Sequence, residues 1–233
     1  YVEVPHNDEL IPATGQATVS VWINAQRHTG PGGSTWQGIL AKGGAPRLYN
    51  LYTHQNQTLH FSTGPSGAYI GSNSTGTVPL NEWVHVAVAV DHAHLYYING
   101  EPGGAAANGA TVGTGGTATL TIGQTGESNY FLGMIDEVRV YDVPLTSAEV
   151  KALFQGNPPS WPKAKNPEPP DGAIGVESAL LKWEAGDRAL LHSVYFGTSP
   201  DLTEADLVQS KKRQTVYYHL PGLESGVTYY WRV

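Results

Sequence analysis

Asp136 is the carboxylate whose position demands most of its surroundings. In Asp136-Glu-Val-Arg-Val-Tyr-Asp142, strict alternation puts Asp136, Val138 and Val140 on one strand face. Glu137, Arg139 and Tyr141 fall on the other. An ionised carboxylate on a core-facing row must be hydrogen-bonded, paired or bound to a metal. Asp136 is therefore a candidate ligand for a hard cation such as calcium, which takes carboxylates together with backbone carbonyls. A carboxylate held by loop amides satisfies the same constraint. Asp8, with Asn7 and Glu9 beside it, is a second candidate, though a solvated loop accounts for these three equally well. Asp91 fits a turn before Ala93, and His92 and His94 form an i,i+2 pair that could hold a metal or simply be polar surface.

A second set of residues suits recognition of a sugar, which stacks on aromatic faces while a few polar groups orient it. Trp36, Tyr49, Tyr52, His54 and Tyr69 cluster in a stretch rich in Gly, Asn and Gln. Tyr130 lies in an expected loop just before the Asp136 strand. Large aromatics are also the usual filling of a core, so each has that alternative. Asn56-Gln-Thr58 and Asn73-Ser-Thr75 are sequons, which matter only where the host glycosylates Asn56 and Asn73.

Other chemistries lack their residues. The chain has no cysteine, so disulfides, thiol nucleophiles and cysteine-based zinc sites are excluded. It has no Gly-x-Ser-x-Gly elbow and no His-Glu-x-x-His metal motif. With a net charge of −7 there is no basic stripe for nucleic acid. The only basic cluster, Lys211-Lys212-Arg213, is short and expected in a solvated turn. No stretch reaches the roughly 18 apolar residues of a membrane span, so no membrane insertion is expected of this segment.

The elements that must position these residues are mostly strands. Ala17–Asn24 alternates, with Val19, Val21 and Ile23 on one face. Residues 36–42, 48–53, 58–62, 83–90, 93–98, 117–123 and 133–141 read as further strands, with Val84, Val86, Val88 and Val90 opposite Trp83 and His85. Asn99-Gly100 is a strong hairpin signal. Thr146-Ser-Ala-Glu149 is a capping box that opens the only helix, with Leu145 placed to staple against Val150 and Gly156 to end it. A Pro-rich spacer over 157–170 follows, extended and semi-rigid, whose Trp161 is expected to pack on a neighbouring domain. From Asp171 strands resume, at 179–183, 190–197, 215–220 and 228–233.

The ordered segments Val19-Ser-Val-Trp-Ile-Asn-Ala25, Glu82–Glu101, Leu120–Gln124 and Gly133-Met-Ile-Asp-Glu-Val-Arg-Val-Tyr141 followed by a short helix resemble the laminin-G-like, concanavalin A-like jelly rolls. Residues 171–233 resemble an incomplete fibronectin type III sandwich, with Trp183 as its core tryptophan and Tyr229 as its corner tyrosine. The resemblance implies an all-β chain: a jelly roll over 1–156 with one short C-terminal helix, a linker over 157–170, and a partial sandwich over 171–233. Tyr1 and Val233 both read as mid-strand, so a piece of a longer protein is expected. The resemblance also implies a non-catalytic module outside the cell or on its surface. It would bind a polysaccharide or glycoconjugate, with calcium at the rim near Asp136. A structural block that contacts other surface proteins is the alternative. The family's Phe-Asp-Gly would precede Tyr1. The Glu-x-Asp-x-x-Glu strand of the glycan-cleaving jelly rolls is not matched, since Met134 stands two residues before Asp136.

Overall fold

The computed structural model describes residues 1–44, 46–64, 69–126, 129–159, 163–186, 189 and 191–233. The chain divides into two compact units, Tyr1–Pro159 and Ser160–Val233. Trp161 lies outside the described residues.

The first unit is built from β1 (Val2–Val4), β2 (Ala17–Ala25), β3 (Trp36–Lys42), β4 (Arg47–His54), β5 (Thr58–Gly64), β6 (Ile70–Thr77), β7 (Val84–Val90), β8 (His92–Ile98), β9 (Glu101–Ala110), β10 (Leu120–Ile122), β11 (Gly133–Tyr141) and α1 (Ser147–Phe154). They form two antiparallel sheets, ordered β1-β10-β3-β4-β5-β6 and β11-β2-β7-β8-β9. The alternation in β2 and β7 turns Val19, Val21, Ile23, Val84, Val86, Val88 and Val90 inward, against Ile39, Leu40, Leu51, Leu59 and Phe61 of the other sheet. Each such side chain, fully removed from water, contributes on the order of 1.5–3 kcal/mol. Asn99 and Gly100 both take the left-handed backbone that a two-residue hairpin needs, joining β8 to β9.

Helix α1 covers the outer face of the five-stranded sheet. Its capping box is complete: Glu149 N donates to Thr146 Oγ1, and Thr146 N donates to Glu149 Oε2. Leu145, Val150 and Leu153 are buried, and the Phe154 ring stacks on Trp22 at 5.6 Å. Thr18 Oγ1 ties the connection to β2, donating to Val143 O and accepting from Leu145 N. Gly156, in the left-handed region, ends the helix.

Three expectations from alternation are corrected. First, β11 carries a bulge: Asp136 pairs with Trp22 and Arg139 with Ser20, so Glu137 and Val138 together oppose Val21. Glu137 sits at φ 52°. Ile135, Val138 and Val140 pack on the core, whereas Asp136 is exposed. Its Oδ1 accepts the Glu137 amide at 2.7 Å, so the carboxylate caps the bulge. Second, His92 and His94 do not share a face. His92 is exposed with a positive φ, and His94 is buried with Nδ1 2.8 Å from Ser72 Oγ. Third, two strands carry no apolar alternation and were not expected: β6 (IGSNSTGT) and β9 (EPGGAAANGA).

The second unit holds two three-stranded sheets. One orders β12 (Lys165–Glu168), β13 (Leu180–Glu184) and β16 (Val216–Tyr218); the other orders β15 (Leu207–Lys212), β14 (His192–Gly197) and β17 (Tyr230–Arg232). Residues 165–168, expected as linker, are thus paired strand. Lys211 and Lys212 end a strand where a turn was expected. Leu181, Trp183, Val194 and Phe196 form the core, with Tyr229, Trp231 and Val233 packed on it. Tyr229 Oη accepts the Glu224 amide at 3.1 Å.

Two predictions follow from the first unit. His85 and His94 are both fully buried, and burial, reinforced by Arg139 at His85 and by His60 at His94, pushes each pKa down to about 4. Unfolded histidine titrates near 6.5, so the unfolded chain binds more protons between these values. Stability is therefore full above about pH 6.5 and falls progressively towards pH 4, by up to about 3 kcal/mol per histidine. Thermal melts from pH 7.5 to 4.5 should show that fall, and His94→Gln should reduce it by about half, the His85 share remaining. Asp136→Ala should cost about 1 kcal/mol through the lost bulge bond, equally with and without calcium. A calcium-dependent rise in melting temperature that Asp136→Ala removes would instead place an ion at this rim.

Candidate functional site

Helix α1 occupies the outer face of the five-stranded sheet, and in β3 to β5 of the six-stranded sheet only Trp36, Arg47, His54 and His60 are not fully buried. The register of the six-stranded sheet builds one row across four strands: Gly38 on β3, Tyr52 on β4, His60 on β5 and Asn73 on β6. Trp36 and His54 pair in the next row. Leu59 and Phe61 point into the core, so His60 between them must point out.

Trp36 organises the row. Its indole centroid lies 4.3 Å from the rings of both His54 and His60 and 6.0 Å from that of Tyr52. Strands β3 and β5 are separated by β4, a gap of about 10 Å at ordinary strand spacing. To touch His60 the indole must therefore lie across β4, and Tyr52, only 2% exposed, is buried. Tyr52 Oη accepts from Asn50 Nδ2 at 3.2 Å. His60 Nδ1 lies 2.6 Å from Asn73 Oδ1. Burial lowers the His60 pKa, outweighing that bond; His54 and Arg47 add to the lowering. The imidazole is therefore neutral at pH 7.

One wall of the site is the connection between β10 and β11. A Cβ on Gly38 would lie 2.4 Å from Thr125 Cγ2 and 2.7 Å from Asn129 O, so only glycine admits the loop there. Gly38 N donates to Asn129 O, and Ser34 Oγ donates to Asn129 Oδ1. At the far end of β4 the Arg47 guanidinium stacks over Tyr69 at 4.3 Å and donates to Ser62 Oγ.

The structure sorts the aromatics named from sequence. Trp36, Tyr52 and His54 come together. Tyr49 is corrected to a core residue: it faces inward, is fully buried, and donates its hydroxyl to Leu10 O. Tyr69 stands apart from the Trp36 cluster, beside Arg47. Tyr130, 42% exposed, packs beside Tyr1. The sequence reading missed His60 and valued Asn73 only as a sequon. The outward register of Thr58-Leu-His-Phe-Ser62 was the available signal for His60. Asn56 Oδ1 accepts from Thr58 Oγ1 and also meets His54 Nδ1, so both sequon asparagines are engaged in this region.

Strands β3 to β6 contain no Asp or Glu, so they supply no carboxylate pair for bond cleavage. Among the described residues, no group of three or more His, Asp or Glu is placed to hold a metal ion. Asp8 is exposed and bonds His6 Nε2. Asn7 caps the short 3-10 turn Asp8–Leu10 by accepting the Glu9 amide. What the face offers is an aromatic platform ringed by hydrogen-bonding groups.

Comparison with known proteins gives the fold a family. No curated protein matches the chain. Among solved structures, domain 4 of AbnA, a GH43 extracellular arabinanase from Geobacillus stearothermophilus, in complex with arabinotriose, is similar with a TM-score of 0.53 and 24% identity, over 66% of this chain and 71% of that one. The CBM40 of the Ruminococcus gnavus IT-sialidase, bound to α2,3-sialyllactose, gives 0.53 at 15% identity, over 66% and 94%. The binding domain of Paraclostridial Mosquitocidal Protein 1 gives 0.53 at 13% identity, over 90% and 56%. At these identities the likeness is one of fold. The family model for the concanavalin A-like lectin/glucanases superfamily matches residues 1–151, and the chain belongs to that superfamily.

Proposed function

We propose that the first unit is a non-catalytic carbohydrate-recognition module whose ligand lies on the outer face of the six-stranded sheet, over Trp36. The observation that carries this reading is the half-buried indole held between His54 and His60. An indole fixed across a sheet is a platform for the apolar face of a sugar, and its neighbours supply the orienting hydrogen bonds. Two of the similar folds were solved with oligosaccharides, arabinotriose and sialyllactose, which supports the ligand class. The absence of carboxylates from β3–β6 supports binding over hydrolysis. Such a module serves outside the cell or at its surface, where polysaccharides and glycoconjugates are met. Among the described residues no helix is long and apolar enough to cross a membrane.

We also infer that the second unit is a fibronectin type III-like sandwich. The support is its sheet order, the buried Trp183 and the bond from the Glu224 amide to Tyr229.

The ligand reading is tested on the full chain by glycan array and polysaccharide pull-down. The wild-type protein should bind. Trp36→Ala should lose 10- to 100-fold in affinity, as expected for about 1.4–2.7 kcal/mol of stacking and burial, with an unchanged circular dichroism spectrum. Tyr130→Ala should bind as the wild type does. Failure of the wild-type chain to bind any glycan would remove the reading.

A further inference from the structure

Two polar atoms at the centre of this face have no protein partner. His60 Nε2 and the Trp36 indole N–H make no hydrogen bond among the described residues, and both residues are partly exposed. Their rings are only 4.3 Å apart. The other ring nitrogen of His60 decides what Nε2 can do. Asn73 Oδ1, 2.6 Å away, is an amide oxygen and can only accept. With the Asn73 amide oxygen turned to the ring, His60 Nδ1 carries the proton, which leaves Nε2 of the neutral ring as a bare acceptor. The face thus presents one acceptor beside one donor.

Gly71 keeps that acceptor edge open. Its backbone lies outside the left-handed region, so its conformation does not call for glycine. The space does: a Cβ there would stand 2.9 Å from His60 Cε1 and 3.0 Å from Nε2. Any side chain at 71 would push the ring aside or cover its acceptor.

We propose that His60 Nε2 and the Trp36 indole N–H together read two adjacent hydroxyls of a sugar ring. One hydroxyl donates to Nε2 and its neighbour accepts from the indole. Gly71 and Asn73 are positioning residues: one clears the acceptor edge and the other fixes its tautomer. This rests on the glycan reading above and narrows it to sugars with a free vicinal diol. It also makes recognition acid-sensitive. Protonated His60 donates from both nitrogens, so the acceptor is lost. The titratable or charged groups around the ring are His54, Tyr52 and Arg47 on β4 and His94 on β8, behind the sheet. Strand β6 adds none, and no carboxylate is among these groups to favour the protonated form.

The test uses the full chain. Nitrogen-15 NMR of the free protein at pH 7.5 should show His60 protonated at Nδ1; protonation at Nε2 would overturn the proposal. Binding is then measured to arabinan, β-1,4-galactan and dextran, which carry vicinal diols, and to a soluble β-1,3-glucan, whose internal residues carry none. At least one of the first three should bind and the β-1,3-glucan should not. Periodate cleavage of the bound polymer's diols and Gly71→Ala should each weaken binding at least tenfold, and binding should fall as acid protonates His60. Unchanged binding after periodate, or undiminished binding by a folded Gly71→Ala variant, would overturn the diol reading while leaving carbohydrate recognition intact. Binding to none of these polymers, nor to any array glycan, would overturn both.

Discussion

The arrangement depends on which sheet faces are covered. A two-layer sandwich has two outer faces, and here helix α1 closes one of them. The contact is built from few parts: the Thr18 hydroxyl, which both donates to and accepts from the connection before the helix, and the Phe154 ring lying on Trp22. Because β2 and β7 are buried on both sides, the five-stranded sheet has little free surface at its centre. In the other layer β3 to β5 are buried on both sides as well, except at Trp36, Arg47, His54 and His60. There the loop between β10 and β11 presses on Gly38, so the exposed part gathers around Trp36, His54, His60 and the neighbouring β6.

Much of the fold was legible in the sequence because burial imposes a period. The valines of β2 and β7 had to share a face, and the capping box of α1 named its first residue. Asn99-Gly100 placed its hairpin for a reason of backbone geometry alone. The errors fell where period and burial part company. In β11 a single extra residue moves Asp136 from the core row to solvent, and nothing in Asp136-Glu-Val-Arg-Val marks the bulge. Strands β6 and β9 are made mostly of Gly, Ala, Ser, Asn and Thr, and bury few large side chains.

The same division explains what was legible of the site. Trp36, Tyr52 and His54 are aromatic and were visible as such. His60 shares their face only because β4 and β5 pair in a particular register, and Asn73 and Gly71 lie on a strand with no apolar signature. Half of the site is therefore carried by residues whose meaning appears only after the strands are paired. Histidines also separate by depth. His85 and His94 each bond a serine through one ring nitrogen in the interior, whereas His60 is only partly buried.

The acid-free strands have a consequence for how the molecule meets other polymers. From Leu10 to Asn81 the chain has three cationic residues, Arg27, Lys42 and Arg47, and no acid, although the whole carries −7. The negative charge is thus confined to the rest of the sequence. Contacts made over Trp36 by stacking and neutral hydrogen bonds are not screened by ions. Ionic strength will govern how the protein's acidic regions approach charged surfaces, while the proposed binding of a neutral sugar over Trp36 would be indifferent to salt.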